Sequence, residues 1–511
     1  MNVLNDLASA GRLSRLATPV QTKLGPLTTV LDPQPRLARA EVRRPAANAT
    51  DKRARTLDAA LDAADLRDGA VVSFHHHYRN GDSLVAHVMQ RLRARGLRDL
   101  TLAVSSIFPV HAPLVPLMQD GTISHILTNY MKGPVADAVA GGTLAGRVLL
   151  QSHGGRARAI TARQLEIDAA FVAAPLARPD GAATGRGGRQ ACGPLGYAAV
   201  DAAFARHTIV VADELCAGPM PHIDIPGEHV DAVVHLPGGA GNTAGILSGS
   251  THPAETPKAR AVAEITVSAM RAAGYLRDGL SLQSGAGGYS LGAVAPIGHA
   301  MAEAGVRGSF LSGGITGVHA DLLASGLFER IRDVQCFDLA AVQSSIAHPQ
   351  HTMMSAEAYA SPLHPKPAVG DLDVMLLGAA EIDAAFNVNV VMGADGTVLG
   401  GPGGHPDAAA GAALRIVTTD LVGGGCPKLV PHVRCVSTPG QHVDLVVTPK
   451  GVAVHPDRDD LHRTLRRAGL PVRDFGDLAA EAGAAPGQSA PYPLTPRAYV
   501  EARDGGILDW I

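Results

Sequence analysis

Residues 372–405 read LDVMLLGAAEIDAAFNVNVVMGADGTVLGGPGGH. The stretch opens on LDVMLLG, a continuous apolar run with the length and composition of a buried strand. Two acids follow at its end, Glu381 and Asp383, then the polar pair Asn387 and Asn389, and the Gly-rich turn GGPGGH closes the block at 400–405. Polar and charged groups placed where a buried strand ends are what an open α/β sheet presents at its binding crevice. The glycines let backbone N–H groups approach a ligand without interference from Cβ. The block therefore reads as an anion or oxyanion site on an α/β scaffold. Glu381 and Asp383 stand two residues apart and share one face of an extended segment, as an acid/base pair or as a turn cap.

Working outward, strands alternate with helices along the chain. A helical pattern at 55–66 precedes a strand at 70–74, which runs directly into His75-His76-His77-Tyr78-Arg79; a helix at 83–96 closes on Gly96. Strands follow at 99–105, 147–152, 168–174 and 207–213. A Pro/Gly concentration over 217–256, interrupted by a short strand at 231–236, marks a change of domain. The second half repeats the style, with a helix at 258–274 and strands at 280–284, 309–313 and 372–377. A hairpin at 443–455 turns on Pro449-Lys450-Gly451. This alternation predicts parallel, open α/β sheets. The expected organisation is an N-terminal arm over 1–50, rich in Pro and Arg, then α/β domains at 51–225 and 226–511. The arm reads as an extended segment over the first domain or against a partner, or as a poorly ordered tail.

Bulk properties narrow the function classes. At 511 residues the chain exceeds one core, so two domains are the prior. Apolar residues make up 46% and charged residues 18%, as in a soluble globular protein with ample core. A net charge of −3 and 4% aromatics argue against a nucleic-acid partner. The five cysteines are scattered with no CxxC pair, which fits reduced thiols in a cytoplasmic protein. No membrane span or secretory leader is expected.

Three further segments carry candidate chemistry. Strand–GAGG–helix at 280–292 gathers backbone N–H groups of Gly285, Gly287 and Gly288 near a helix start, an anion-binding arrangement or simply a tight turn. It matches neither a dinucleotide fingerprint nor a Walker loop. His75, His76 and Arg79 follow a strand and could hold a polycarboxylate, with Arg79 as the fork donor, or form a loop packed by its own hydrogen bonds. Consecutive histidines on an extended chain point alternately, so no metal site is expected of them. Arg156 of SHGGR (152–156) could reach an anion. Cys192 sits in a Gly-rich run without a neighbouring base and reads as a structural turn.

Taken together, VSFHHHYRNGD (72–82), HAPLV (111–115), SHGGR (152–156), CGPLGYA (192–198), SLQSGAGGYSL (281–291), SGGITG (312–317), DVQCFD (333–338), AAEIDAAFNVNV (379–390) and GGPGGH (400–405) resemble the citrate lyase alpha subunit family. The resemblance runs from about residue 50 to 460, and FHHHYRNGD and EIDAAFNVNV are long and unusual. It implies a fold of two open α/β domains of the CoA-transferase type. It implies a citrate CoA-transferase that exchanges acetate for citrate on a thioester. The thioester is carried on a phosphopantetheine-type (phosphoribosyl-dephospho-CoA) group of an acyl-carrier gamma subunit, with acetyl-CoA as surrogate and no cofactor bound covalently to this chain. A beta subunit then cleaves the citryl group, so an oligomeric complex is implied. In the broader CoA-transferase superfamily the equivalents of NVN and GGxGG line the acyl site, which assigns Asn389, Gly403 and Gly404 to catalysis beside Glu381. Gly285, Gly287 and Gly288 then face the thioester, and His75, His76 and Arg79 face citrate.

Two departures bear on mechanism and partner fit. Many related CoA-transferases carry a nucleophilic Glu where this chain reads SGGITG (312–317). That favours direct attack by a citrate carboxylate, with Glu381 as covalent nucleophile the opposing idea. AEAYASPLHPKP (356–367) is less Asn-rich than the family leads one to expect. The alternatives are a citramalate- or other carboxylate-specific CoA-transferase, a thioester hydrolase of the same fold, a non-enzymatic sensor, or a metal hydrolase built on His75–His77.

Overall fold

The computed structural model describes residues 21–22, 25–26, 38–42, 50–246, 251–483 and 496–511. Most of the arm expected over 1–50 lies outside these residues. Its described part at 38–42 touches both halves of the chain. Ala40 N donates to Thr161 O at 2.7 Å, the Arg39 guanidinium lies 5.2 Å from the centre of the Phe204 ring, and Arg39 pairs with Glu357.

Apolar β-branched runs form the strands, and apolar residues at helical spacing form the covering helices. Leu84–Ala94 buries Leu84, Val85, Val88, Met89 and Leu92, one stripe of an amphipathic helix. Arg91 and Arg93 stand in its last turn, where cations favour the helix dipole. Gly96 follows at φ +83°, the left-handed exit that only glycine adopts at little cost. In the second half Pro257–Ala272 begins on Thr256, whose side chain accepts from Ala259 N, with proline in the first turn.

Two large sheets carry the fold. The first, of eleven strands, runs Ile507–Trp510, Tyr499–Glu501, Val148–Leu150, Ile123–Thr128, Leu100–Val104, Val71–Phe74, Ala169–Ala177, His207–Leu215, Ala232–His235 and Arg53–Ala54, with Ala183–Thr184 added against Ala169–Ala177. The second, of eight, runs His351–Met353, Phe328–Cys336, Gly308–Ile315, Ser281–Ser284, Val374–Leu377, Leu414–Thr418, Leu445–Thr448 and Gly451–Val454. Counting the main parallel strands from the start of each half, both sheets have the order 4-3-2-1-5-6-7. The chain therefore holds two copies of one doubly wound topology. In each copy the order reverses between strands 1 and 5, and the crevice at such a reversal is where open α/β sheets bind ligands. His75–Arg79 leaves strand 1 of the first copy; GAGG and GAAEID leave strands 1 and 5 of the second.

The sheets divide the chain differently from the expected boundary at 225/226. Ala232–His235 belongs to the first sheet, and the segment at 499–510 returns to it, pairing in parallel with Val148–Leu150. A boundary drawn from Pro/Gly content cannot register pairing between strands some 350 residues apart, because that pairing leaves no local mark.

The halves meet through equivalent elements. His153–Thr161 and Ala356–Ala360 each follow strand 4 of their sheet, each is N-capped by a serine (Ser152, Ser355), and the two helices pack together. Gly154 lies so close to its neighbour that a Cβ there would sit 2.2 Å from Ala360 O.

Candidate functional site

Polar groups from both halves converge at the carboxyl ends of the first sheet's strands. His75, His76 and His77 leave Val71–Phe74 fully buried. The His76 ring meets Ser105 Oγ through Nδ1 at 2.5 Å, and the His76 carbonyl accepts from Gln335 Nε2 of the second half at 2.9 Å. The chain then turns sharply, with Arg79 in the left-handed region at φ +52°, a conformation few non-glycine residues adopt. The Arg79 guanidinium lies over two rings, Phe108 of the first half at 5.3 Å and Phe337 of the second at 4.7 Å. The Tyr197 ring packs at a tilt against His153, centroids 4.6 Å apart, and against His76 at 5.1 Å.

The Gly-rich turn at 400–404 is the second half's contribution. Gly403 N donates to Asn129 O at 3.1 Å and Gly403 O accepts from His153 N at 2.9 Å, so Ser152 and Gly403 form an isolated bridge between the halves. Gly403 has φ +52°, and a Cβ on Gly401 would meet Asn129 O at 2.2 Å; the turn needs glycine for both reasons. His405 pins its far end, with Nε2 2.9 Å from Gly378 O and Nδ1 2.7 Å from Thr438 Oγ1. Asn129, which anchors Gly403, is itself fixed by donating to the carbonyls of Gln151 and Ser152. His76, Arg79, Gly403 and Gly404 thus fall at one junction, reached through Tyr197, His153, Phe108 and Tyr130.

Burial sets the charges here. It depresses His75 to about 4, His153 to about 3 and His405 to about 4, and it pushes His76 and His77 well down. These imidazoles are neutral at pH 7 and act as hydrogen-bonding groups. Burial also lowers Arg79, to about 10, which leaves it protonated. A desolvated guanidinium among neutral donors is suited to a carboxylate ligand.

Glu381 and Asn389 are arranged otherwise than expected of reacting groups. They pair across the small sheet of Glu381–Asp383, Val388–Asn389 and Leu429–Val430. Glu381 accepts from Asn389 Nδ2 at 2.9 Å, Arg434 N at 3.0 Å and Arg434 Nε at 2.9 Å. Asn389 also donates to Met392 O and accepts from Val391 N and Met392 N. All four of its side-chain hydrogen-bonding positions are filled, so it has no donor left for an oxyanion. Asp383 caps the following turn, accepting from Ala385 N and Asn387 N.

The GAGG segment sits at the second copy's crevice. Two of its three named N–H groups are taken by backbone, Gly285 N by Leu376 O at 2.8 Å and Gly288 N by His252 O at 3.0 Å. Arg156 is already committed to a carboxylate of this chain. It forms a buried bidentate pair with Asp201 at 2.7 and 2.6 Å. Burial pushes the Cys192 thiol up, which keeps it protonated, as a structural residue requires. Among the described residues one group of three potential metal ligands lies together, Asp333, Cys336 and His351. Asp333 already accepts from Cys336 Sγ at 3.1 Å and meets His351 Nε2 at 3.0 Å, so the three satisfy one another.

Sequence reasoning passed over His153 and Asp407. The available signal for His153 was its position immediately after a strand and an N-capping serine; Arg156 drew attention because of its charge. Asp407 carried no signal, because its partners Ser152 and Gly154 lie some 250 residues earlier.

Comparison with known proteins agrees with this architecture. Residues 50–511 match the family model described as citrate lyase, alpha subunit (CitF). The chain is 38% identical over 455 residues to the citrate lyase alpha chain of Escherichia coli strain K12, covering 89% of each chain. It is 37% identical over 471 residues to that of Klebsiella pneumoniae, covering 91% and 92%. Among solved structures, one described as the alpha subunit of citrate lyase from Streptococcus mutans in complex with citrate superposes with a TM-score of 0.88 at 35% identity, covering 93% of each chain. The malonate decarboxylase alpha subunit of Acinetobacter baumannii shares the fold at a TM-score of 0.59 and 13% identity, over 83% and 86% of the chains.

Proposed function

The chain belongs to the citrate lyase alpha subunit family, and from that premise we propose how its own residues carry out the exchange of acetate for citrate on an acyl-carrier thioester. It is a CoA-transferase-type enzyme and part of a multi-subunit citrate lyase complex. Its partners in this reading are the beta subunit, which cleaves the citryl group, and the gamma subunit, whose phosphopantetheine-type arm carries the thioester. The setting is the cytoplasm; no described helix is long and apolar enough to cross a membrane.

The observation that carries the mechanism is the Ser152–Gly403 bridge, which sets the Gly-rich turn beside His153 while Glu381 stays locked to Asn389 and Arg434. A citrate carboxylate, ionised at pH 7, needs no general base. It attacks the acetyl thioester carbonyl; the C–S bond breaks, giving an acetyl–citryl anhydride and the carrier thiolate. The thiolate then attacks the citryl carbonyl, and acetate leaves with the electron pair of its C–O bond. Arg79 holds citrate's other carboxylates, and the neutral imidazoles of His76 and His153 orient it. In this reading the Gly404 N–H, which no described residue takes up, donates to the oxyanion. Gly287 receives the thioester arm. Glu381 and Asn389 hold the loop that delivers the turn; they do not react.

The test is a transferase assay on the purified full chain with labelled acetyl-CoA and citrate, then citramalate. Citrate-dependent release of labelled acetate with citryl-CoA formation supports the reading. Acetate release without any dependence on an acid points instead to a hydrolase. No turnover even with carrier and lyase subunits added overturns it.

A further inference from the structure

We infer that Asp407 is a positioning residue for the transfer, its carboxylate clasping the Ser152–Gly154 turn so that His153 and the Gly403–Gly404 turn are held against each other. The inference rests on the proposed function and deepens it. Asp407 lies in the helix His405–Gly411, which begins directly after Gly404. Its Oδ1 accepts from Ser152 Oγ and its Oδ2 from Gly154 N, each at 2.8 Å. Ser152 Oγ in turn accepts from Gly155 N at 2.9 Å. Since His153 N goes to Gly403 O, two segments distant in sequence are tied on both sides of His153.

The clasp tolerates little displacement. A Cβ on Gly154 would sit 2.2 Å from Ala360 O and 2.7 Å from Asp407 Oδ1. A Cβ on Gly404 would meet Tyr359 Oη at 2.7 Å and His153 Cδ2 at 3.1 Å. The carboxylate also lies at the amino end of the nine-residue helix His153–Thr161, where negative charge is favoured. A group packed this closely acts by fixing geometry, which is where a small misplacement is most costly.

The same residue gives the clasp a pH dependence. Burial raises the Asp407 carboxyl to about 6, opposed by the Gly154 N–H and by Arg503. The groups facing it are Arg503 from the C-terminal segment, Tyr359 from Ala356–Ala360, Tyr197 from Gly196–Phe204, and the neutral His153. Burial favours the neutral carboxyl for the fold as a whole, but protonation removes one acceptor from the Ser152–Gly154 turn and slackens it locally, so activity falls on the acid side. Citrate titrates in a similar region, so wild type and variant must be compared on the same substrate.

The experiment uses the full chain with acetyl-CoA and citrate, comparing wild type, Asp407→Asn and Ser152→Ala across pH. In Asp407→Asn, kcat should fall about 10- to 100-fold, with KM for citrate changed by less than about twofold. The wild-type acid limb near pH 6 should flatten. Ser152→Ala should lose less kcat in the same direction, and amide exchange at 154–156 should quicken in both. A folded Asp407→Asn with wild-type kcat and an unchanged acid limb overturns the inference. So does an activity loss that only tracks loss of folded protein while the limb persists. If wild type itself releases no acetate in response to citrate, the proposed function fails; if wild type turns over and Asp407→Asn equals it, this inference alone fails.

Discussion

Asn389 Nδ2 lies 2.9 Å from Glu381 Oε2, and Arg434 Nε lies 2.9 Å from the other oxygen of the same carboxylate. A carboxylate held by three donors is fixed in orientation and poorly placed to attack a thioester. Glu381→Gln should therefore keep turnover within about tenfold of wild type and lose about 1–3 kcal/mol of stability from the broken charged hydrogen bonds. Hydroxylamine added during turnover should trap no acyl group on Glu381. Mass spectrometric detection of a hydroxamate there would reverse the assignment.

Arg79 brings its guanidinium over the rings of Phe108 and Phe337. Lysine keeps the charge but not the planar fork or the stacking. Arg79→Lys should raise KM for citrate about 10- to 100-fold, the scale of a lost charged hydrogen bond, and leave KM for acetyl-CoA nearly unchanged. Steady-state kinetics with each substrate varied in turn checks this; equal rises in both constants would place Arg79 elsewhere.

Gly401 touches the backbone of Asn129, with 2.2 Å between a built Cβ and the carbonyl oxygen. Backbone cannot yield as a side chain does, so Gly401→Ala should displace the turn and cut kcat on the order of 100-fold. Gly378 has nothing within 4 Å of a Cβ, so Gly378→Ala should retain its fold and serve as the control. Similar losses in both variants would show that the turn's exact placement is unimportant.

Acid should destabilise the fold before it dissolves other interactions. His75, His153 and His405 fall from 6.5 to about 4, 3 and 4 on burial. The unfolded chain binds more protons than the folded one between those values. Stability from these groups is therefore complete above pH 6.5 and is lost as pH falls toward 4. Asp407, raised from 3.8 to about 6, works the other way: its contribution is complete below 3.8 and lost as pH rises through 6. Burial raises Asp383 and Glu501 in the same sense, but these carboxyls are outnumbered by the buried imidazoles, which also include His76, His77, His319 and His442. The thermal midpoint should drop between pH 7 and 5, and a flat midpoint across that range would contradict the buried, neutral assignment.

Local signals made much of the fold legible. VVSF, LTLAV and VMLL announce themselves as buried strands, and the structure places strands at Val71–Phe74, Leu100–Val104 and Val374–Leu377. Ile123–Thr128 and Phe328–Cys336 escaped because His125, Glu329, Arg330 and Arg332 break the apolar run, although both strands are interior to their sheets. The site was legible in the positions of its motifs, at strand ends and glycine turns. It was not legible in the duties of single residues. Whether Glu381 reacts or braces depends on Arg434, and whether Arg156 is available depends on Asp201. Neither partner stands within forty residues, so no window of sequence contains the answer.

The hairpin of Tyr499–Glu501 and Ile507–Trp510 lies at the edge of the first sheet, beside Val148–Leu150. A ribosome emits residues 53–235 long before residues 499–510, so during synthesis the first sheet waits with that edge unpaired while the second half is built. An unpaired edge invites wrong partners, and pairings between distant segments form slowly. Maturation of the first half is thus timed by the completion of the second, and newly made chains spend that interval most open to self-association.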